Sequence, residues 1–533
     1  MVMVMRRSLA YVVLAILCSA GIQSPVRLQG QASGASLTPW LDTALRQGTA
    51  DQRHAVWVYY RDKGARVTAQ STSLPVSARA LGRRARRARA AAWNAYDDRA
   101  VASAYVEQVA ARVTRVRHTL RWLNATSVEA TAAQVRALAA LPFIDRLDVV
   151  HRYRAGREPQ EAVRPAAAPD GHRLRGLGTH ALDYGSSFEQ LSQIRVPELH
   201  ERGLSGAGVL VALFDTGFPN LEHEAFSAMK IVGQWDFIRG IDDVRGGGDG
   251  HGTATLSVAG GFRPGELIGP AFGASFVLAV TEDIRSETPI EEDNWAAAAE
   301  WAESWGADVI SSSLGYAQFD LPHASYTDRD MDGMTAVTTR AATMAAARGV
   351  VVVNSAGNGG FHPTRNTLVA PADGLYVVSA GAVDRTGARA DFSSVGPTAD
   401  GRMKPEVAAL GVAVKSATVV TTNSYAAFSG TSLSCPLIAG VVALLLQAHP
   451  AYSVDDVLLA CARRRVRAPC RTTCSVGESS TRSPQWISSS VPSWRRSRLP
   501  ALRSAVDSQP ASHGDGVAAS ERNRSTSRAV ISA

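Results

Sequence analysis

Cysteines and long apolar runs are both scarce in this chain. Its 533 residues include five cysteines. After the N-terminal stretch, no apolar run approaches the ~20 residues needed to cross a bilayer. Cys435 is the one cysteine between Ser19 and Ala460, so a scaffold held together by disulfides is excluded.

The net charge of +8 does not come from one coherent basic surface. Much of the excess lies in Gly82–Arg89 and in the Ser- and Arg-rich stretch after Cys461. Nucleic-acid binding requires a basic face, so we expect no nucleic-acid partner and interpret Gly82–Arg89 as a solvated charged segment. Hydrophobic residues at 45% and charged residues at 20% are typical of a globular protein.

The N-terminus has the pattern of a signal peptide. Arg6 and Arg7 precede the short apolar run Leu9–Leu17, and small residues up to Ala20 suit cleavage. Cys18 raises the alternative of a lipoprotein anchor, but a leucine stands before it where a small residue is expected. We therefore expect a protein that is secreted to the medium or the periplasm, with no membrane segment after cleavage.

A small α+β domain is predicted next. Its strands and helices are Ala55–Tyr60, Ala100–Val116 (helix), Leu120–Asn124, Ala130–Ala140 (helix) and Ile144–Val150. Tyr153–Gly178 follows without periodicity and is interpreted as a linker.

The part of the chain after Gly208 predicts an α/β fold. Short apolar runs alternate with helical stretches, which indicates a parallel sheet with helices on both faces. The runs are Gly208–Phe214, Phe276–Val280, Asp308–Ser311, Val350–Asn354 and Leu375–Ser379, and the helices include Asn294–Trp305 and Ala336–Arg348. Chemistry in such sheets lies at the carboxyl ends of the strands.

Three segments carry candidate catalytic residues. Asp215 ends a strand, His251 stands between two glycines at a helix start, and Ser432 precedes an apolar helix whose first turn we expect to contain Pro436. Taken singly, Asp215 fits a turn residue, His251 a polar surface residue and Ser432 a helix N-cap. Asp215-Thr216-Gly217 also suits an aspartic protease, but that chemistry needs a second carboxylate from a dimer.

Together, in the order Asp, His, Ser, these segments resemble the subtilisin-like serine proteases (subtilases, peptidase family S8). Further matching stretches are Asn354–Asn358, Gly306–Gly315, Ala390–Gly411 and Gly430-Thr431-Ser432. The resemblance covers about 187–460 and implies a subtilisin-like three-layer fold. A sedolisin-like relative would carry Glu in place of His251.

The resemblance implies a role for each site residue. Ser432 attacks the scissile carbonyl, His251 accepts its proton, and Asp215 orients the imidazole. Asn358 matches the residue that stabilises the oxyanion, and Ser313-Leu314-Gly315 resembles the segment lining the substrate cleft. With His251 as base, we expect activity to fall as the pH drops through about 6–7.

No cofactor is required by this chemistry, and the expected partners are protein or peptide substrates. Calcium is possible but unplaced, because Asp328–Gly333 resembles the start of a calcium loop without its closing Glu. The small N-terminal domain resembles the inhibitory pro-domain of the family, which implies a zymogen whose own pro-domain is an intramolecular inhibitor.

These inferences divide the chain into five parts. They are a signal peptide (1–20), a pro-domain (21–152), a linker containing the maturation site (153–186), the catalytic domain (187–460) and a disordered tail (461–533).

The tail departs from what the family implies. After Ala460 the sequence becomes Ser- and Arg-rich, where the family would continue a helix and later a Gly-aromatic-Gly-Val-Val stretch. Codons exist that encode the written tail and, in a shifted frame, the expected ending. We therefore hypothesise a frameshift near Cys461, and the alternative function is a catalytically impaired or non-catalytic product. Resequencing that finds codons incompatible with the shifted peptide would exclude the frameshift.

Overall fold

The computed structural model describes residues 35–64, 76–89, 95–150, 180–246, 249–282, 291–318 and 325–463. The chain divides into residues 1–470 and 471–533, and the description concerns the first unit. The predicted signal peptide, most of the predicted linker and the tail beyond Arg463 lie outside the described residues.

The N-terminal domain is built on a five-stranded sheet in the order β1-β5-β2-β4-β3. Its elements are β1 (Ser36–Leu37), α1 (Pro39–Gln47), β2 (His54–Tyr60), α2 (Ala78–Arg87), α3 (Ser103–Ala110), β3 (Arg115–Leu120), β4 (Ala125–Ala130), α4 (Ala132–Ala139) and β5 (Ile144–Val149).

Two secondary-structure predictions for this domain were wrong. The helix expected over Ala100–Val116 ends at Ala110, and the strand expected over Leu120–Asn124 is the turn between β3 and β4. Asn124 adopts a left-handed φ of 50° there, which suits Asn in a turn. The apolar residues of β3 also fit a helical spacing, so periodicity alone assigned them to the wrong element.

Strand β2 is buried on both sides, and its alternating side chains contact different parts of the molecule. Val56 and Val58 lie in the domain's own core, whereas Trp57 and Tyr59 pack into a cluster with the helices of the following domain. A strand places successive side chains on opposite faces, so this sheet joins the two domains through one face.

The following domain contains the predicted parallel sheet. Seven strands lie in the order β14-β13-β12-β11-β6-β10-β7, all paired in parallel. Its elements are α5 (Phe188–Ser192), α6 (Val196–His200), β6 (Leu210–Asp215), β7 (Lys230–Asp236), α7 (His251–Gly260), β8 (Phe262–Arg263), β9 (Leu267–Ile268), β10 (Ser275–Val280), α8 (Glu292–Trp305), β11 (Val309–Ser312), α9 (Val337–Ala347), β12 (Val351–Ser355), β13 (Val377–Val383), β14 (Val407–Leu410), β15 (Val414–Ala417), β16 (Tyr425–Phe428), α10 (Thr431–Ala448) and α11 (Val454–Arg463).

Helices cover both faces of this sheet, which confirms the predicted α/β fold class. Leu213 of β6 packs in the cluster that contains α7 and α10, and its neighbour Phe214 packs in the cluster that contains α8 and α9. Among the described residues, α10 alone has the length and apolar content of a membrane-spanning helix, and its side chains are mostly buried in the first cluster.

The arginine-rich segment Gly82–Arg89 is not solvated as a whole, contrary to the sequence interpretation. Most of it is the end of α2, and Arg83, Arg84 and Arg87 are buried. Buried arginine is stable only when its charge is paired. Arg84 pairs partly with Asp98 of its own domain, but Arg83 and Arg87 pair with Glu303 and Asp308 of the following domain. A local sequence window does not contain those partners.

Candidate active site

Asp215 occupies the last position of β6 and is fully buried. One carboxylate oxygen, Oδ1, accepts a hydrogen bond from the backbone N–H of Thr216 at 2.8 Å, and the other, Oδ2, accepts one from Thr255 Oγ1 at 2.8 Å. A buried carboxylate is costly unless it is hydrogen-bonded. These two donors therefore hold the carboxylate in one orientation.

His251 is the first residue of α7, and its ring faces that carboxylate. The His251 Nδ1 to Asp215 Oδ1 distance is 2.7 Å. Gly250 precedes it with a left-handed φ of 89°, and a Cβ on Gly252 would lie 2.2 Å from the carbonyl oxygen of Gly217. The two glycines that flank His251 thus permit the approach of the imidazole to Asp215.

The charge of Asp215 changes the acidity of the imidazole. Burial by itself would lower the pKa of His251, but the adjacent carboxylate outweighs burial and raises that pKa above its ordinary value. His251 therefore remains protonated to a higher pH than a solvated histidine does.

Ser432 is the second residue of α10, so its side chain lies at the N-terminus of an 18-residue helix. Pro436 stands inside the helix and not in its first turn, where we expected it. Proline has no N–H to donate to the carbonyl four residues earlier. That carbonyl belongs to Ser432, and it accepts a hydrogen bond from Ser313 Oγ at 2.8 Å instead.

Asn358 is held against the start of α10 by its side-chain oxygen. Oδ1 accepts hydrogen bonds from the N–H and the hydroxyl of Thr431, both at 2.9 Å. A Cβ on Gly430 would lie 2.9 Å from Ser432 Oγ and 3.6 Å from Asn358 Nδ2. Both atoms therefore border one small space that a glycine keeps open.

The segment Ser313-Leu314-Gly315 follows β11 and is tied to its surroundings at each residue. Besides the bond from Ser313 to the Ser432 carbonyl, the carbonyl of Leu314 accepts from Asn354 Nδ2 at 2.9 Å. Gly315 lies so close to Val369 that a Cβ would come within 2.2 Å of it. The segment is fixed by contacts on both sides.

All of these residues lie at one edge of the sheet. β11 is paired with β6 and with β12, so that Phe214, Ser312 and Asn354 stand in register. Neighbouring strands are ~4.8 Å apart. Asp215 directly follows Phe214, Ser313 directly follows Ser312, and Asn358 lies in the short loop after β12. The structure thus gathers every site residue that the sequence predicted at the carboxyl edge of three adjacent strands.

Sequence reasoning missed two threonines of this site. Thr255 stands four residues after His251 on α7, a spacing that places both side chains on one helix face; that signal was available. Thr431 lies inside the quoted Gly-Thr-Ser motif, but its bond to Asn358 joins positions 73 residues apart, which spacing along the chain does not indicate.

In Asp328–Gly333, the stretch that resembles a calcium loop, the carboxylates accept hydrogen bonds from neighbouring residues. Asp330 accepts from the N–H and hydroxyl of Thr327, and Asp332 accepts from the N–H groups of Met334 and Thr335. Within the described ranges, no group of three or more His, Cys, Asp or Glu residues is arranged to hold a metal ion.

The comparisons with known proteins match the N-terminal domain and the following domain to two separate family models. Residues 206–482 match the model of the subtilase family, and residues 55–164 match the model of a peptidase S8 propeptide domain of Bacteroidota. The chain belongs to the subtilase family. It is a serine-type endopeptidase made with a propeptide, as a zymogen. The family match runs past Ala460 into the segment that we interpret as altered.

Individual relatives support this assignment. Subtilisin DY of Bacillus licheniformis is 33% identical over 266 residues, which are 50% of this chain and 86% of the relative. Subtilisin NAT of Bacillus subtilis subsp. natto is 30% identical over 269 residues, and the chain spans 63% of its length. Fervidolysin from Fervidobacterium pennivorans, a keratinolytic enzyme, is similar in fold: the TM-score is 0.51 at 21% identity, covering 79% of this chain and 58% of fervidolysin.

Proposed function

We propose that this subtilase is a secreted endopeptidase that hydrolyses protein substrates through Asp215, His251 and Ser432, by way of an acyl-enzyme. The observation that carries the proposal is the 2.7 Å contact between His251 Nδ1 and the buried Asp215. It lies at the same sheet edge as Ser432, which stands at the start of α10.

The contact with Asp215 orients His251 for the proposed proton transfers. With its Nδ1–H donated to Asp215, His251 has Nε2 available to accept the Ser432 proton and later to give it to the leaving amine. Asp215 stabilises the imidazolium that forms in between. Ser432 Oγ bonds to the substrate carbonyl carbon as its proton leaves, and the peptide C–N bond breaks as the amine takes that proton from His251. Water, deprotonated by His251, then hydrolyses the resulting ester, and the proton returns to Ser432 Oγ.

Two donors serve the tetrahedral intermediate. Because Thr431 occupies the oxygen of the Asn358 amide, its Nδ2 faces the space beside Ser432 Oγ. The backbone N–H of Ser432 lies in the first turn of α10, where the helix dipole favours negative charge. We assign both to the oxyanion and Ser313-Leu314-Gly315 to one wall of the substrate cleft.

The remaining parts of the proposal concern location and maturation. The signal-peptide pattern before Ala20 supports secretion, and cleavage in the 153–186 linker would separate the propeptide from the enzyme. The propeptide inhibits until then. The mechanism requires no cofactor and involves neither nucleic acid nor membrane.

The test is labelling by a fluorophosphonate probe together with gel analysis of maturation. The unmodified chain should bind the probe and convert from 56.4 kDa to a smaller band. Ser432→Ala should do neither. Ser434→Ala is the matched control, because that buried hydroxyl bonds only within its own helix, to the Thr431 carbonyl, and it should behave as the unmodified chain.

Two failures would be informative in different ways. Labelling of Ser432→Ala would show that another residue is the nucleophile. If neither chain is labelled, the same assay on a chain with the reading frame restored after Ala460 decides between the impaired product and an absent protease activity.

A further inference from the structure

The propeptide domain contacts the catalytic domain at a place far from the active site. Between β2 and α3 the chain inserts a segment that contains α2, with the arginine-rich residues 77–89. At one end the N–H of Ser77 donates to the carbonyl of Ser304, and at the other the N–H of Arg89 donates to the carbonyl of Ala347. α2 therefore bridges the C-terminal ends of α8 and α9.

The chain just after α8 presents backbone carbonyls, and arginines of the segment bind them. Arg79 Nε donates to the carbonyl of Gly306 at 3.1 Å, and Arg83 Nη1 donates to that of Ala307 at 2.6 Å. The last carbonyls of a helix lack partners within it and carry partial negative charge. Guanidinium groups are the complementary ligand.

Two buried carboxylates of the catalytic domain complete the site. Glu303, fully buried, pairs with Arg83 and with Arg84, whose Nη2 lies 2.7 Å from it. Asp308, nearly buried, pairs with Arg79 and with Arg87, whose Nη1 lies 2.8 Å from it. Each carboxylate thus receives two arginines from the α2 segment, and Glu303 has a third propeptide arginine, Arg121, at 3.8 Å.

The site lies at the edge of the sheet opposite the cleft. Asp308 stands directly before β11, and Ser313 stands directly after it. A four-residue strand advances about 3.3 Å per residue, so the two edges are separated by roughly 13 Å or more. The site is therefore physically separate from the cleft.

We propose that the catalytic domain carries a guanidinium-binding site at this edge, formed by Glu303, Asp308 and the ends of α8 and α9. Its ligand is the arginine-bearing helix α2 of the propeptide. This second anchor slows dissociation of the propeptide once the linker has been cut.

The test measures release of the propeptide from the full chain. A recognition sequence for an added protease is placed within residues 153–179 of the linker of the Ser432→Ala chain. The linker is cut, and dissociation of the propeptide is followed after dilution. Because the Ser432→Ala chain is cut by an external protease, the result does not depend on whether the proposed triad is correct.

Two arginines of α2 form a matched pair. Arg83 is fully buried against Glu303, and Arg86, one turn further on, is exposed. Arg83→Ala leaves a buried carboxylate with fewer partners, and truncating such a pair accelerates dissociation by about 30-fold or more. Arg86→Ala should change the rate by less than a factor of about three, as expected for a surface charge. Equal rates for the two variants would overturn the proposal.

A milder variant covers the case in which Arg83→Ala fails to fold. Arg89 pairs with Asp455, whose side chain is half exposed, and its guanidinium lies 3.9 Å from the centre of the Tyr376 ring. Arg89→Ala disturbs only this rim of the site and should still release the propeptide faster than Arg86→Ala does. If it does not, the second anchor is contradicted.

Discussion

Replacement of Thr255 by valine tests whether the hydrogen bond to Asp215 matters for catalysis. Valine has nearly the shape of threonine, so the change removes one hydroxyl without opening a cavity. Thr255 and Asp215 are both fully buried, and the Oγ1 to Oδ2 distance of 2.8 Å is shorter than the 3.2 Å to the Gly252 carbonyl. The carboxylate is therefore the principal partner of that hydroxyl.

The size of the effect follows from the charge of the acceptor. A hydrogen bond to a charged group contributes about 1.5–3 kcal/mol, so the free energy of unfolding should fall by that amount. The bond also fixes the carboxylate plane that orients His251. If the same energy is lost from the transition state, kcat falls by about 10- to 150-fold, with little change in KM because no substrate contact is altered.

Two measurements separate catalysis from stability. Urea unfolding is followed in the Ser432→Ala background, where autolysis does not interfere, and kcat and KM are measured on a chromogenic peptide with Ser432 present. Thr255→Ser retains the hydroxyl and should recover most of kcat. If Thr255→Val loses stability while kcat stays within about twofold, the role of Thr255 is structural only and the reasoning is refuted.

Three other predictions concern the same site. In Gly430→Ala, the new Cβ would crowd Ser432 Oγ and Asn358 Nδ2. The variant should lose at least about 100-fold in kcat, which is the loss that removal of one oxyanion donor causes in a subtilisin. A folded variant with normal kcat would contradict this. Because Asp215 raises the pKa of His251, kcat/KM should rise with pH around a midpoint above the ordinary histidine pKa of about 6.5. In Asp215→Asn, the midpoint of the residual activity should move to lower pH. An unchanged midpoint would show that another group titrates there. Iodoacetamide should leave activity unchanged, since Cys435 is buried and burial raises the pKa of its thiol to about 12; inactivation with labelling of Cys435 would show that the site opens.

Much of the catalytic domain was predictable from local pattern. β6, β11 and β12 are fully buried, so they read as short apolar runs, and their boundaries were correct within about two residues. The half-exposed strand β3 was not recognised, since its burial depends on α8 of the other domain and not on a repeat in its own sequence. Local patterns identify elements that are buried on all sides more securely than elements that lie at an interface.

The site residues that were predictable are those that each lie in a sequence motif of their own. Asp215, His251 and Ser432 stand in separate recognisable segments, and the fold brings those segments to one edge. The interaction of Arg83 with Glu303 joins positions 220 residues apart, and nothing in the arginine-rich segment itself distinguishes buried Arg83 from exposed Arg86. Their difference arises from which face of α2 meets the carboxylates.

The helix ends that lie at the two edges of the sheet carry opposite partial charges, and the difference follows from the fold. In a parallel α/β arrangement, the helices that follow strands begin at the carboxyl edge and end at the opposite edge. α7 and α10 begin at the edge that carries His251 and Ser432, where positive helix ends favour the developing oxyanion. α8 and α9 end at the other edge, where their negative ends and Asp308 favour arginine. We infer that one topology provides both an anion-stabilising catalytic edge and a cation-binding edge. Charge at the second edge can therefore hold the propeptide, in addition to the apolar contacts of Trp57 and Tyr59, without resemblance to a substrate.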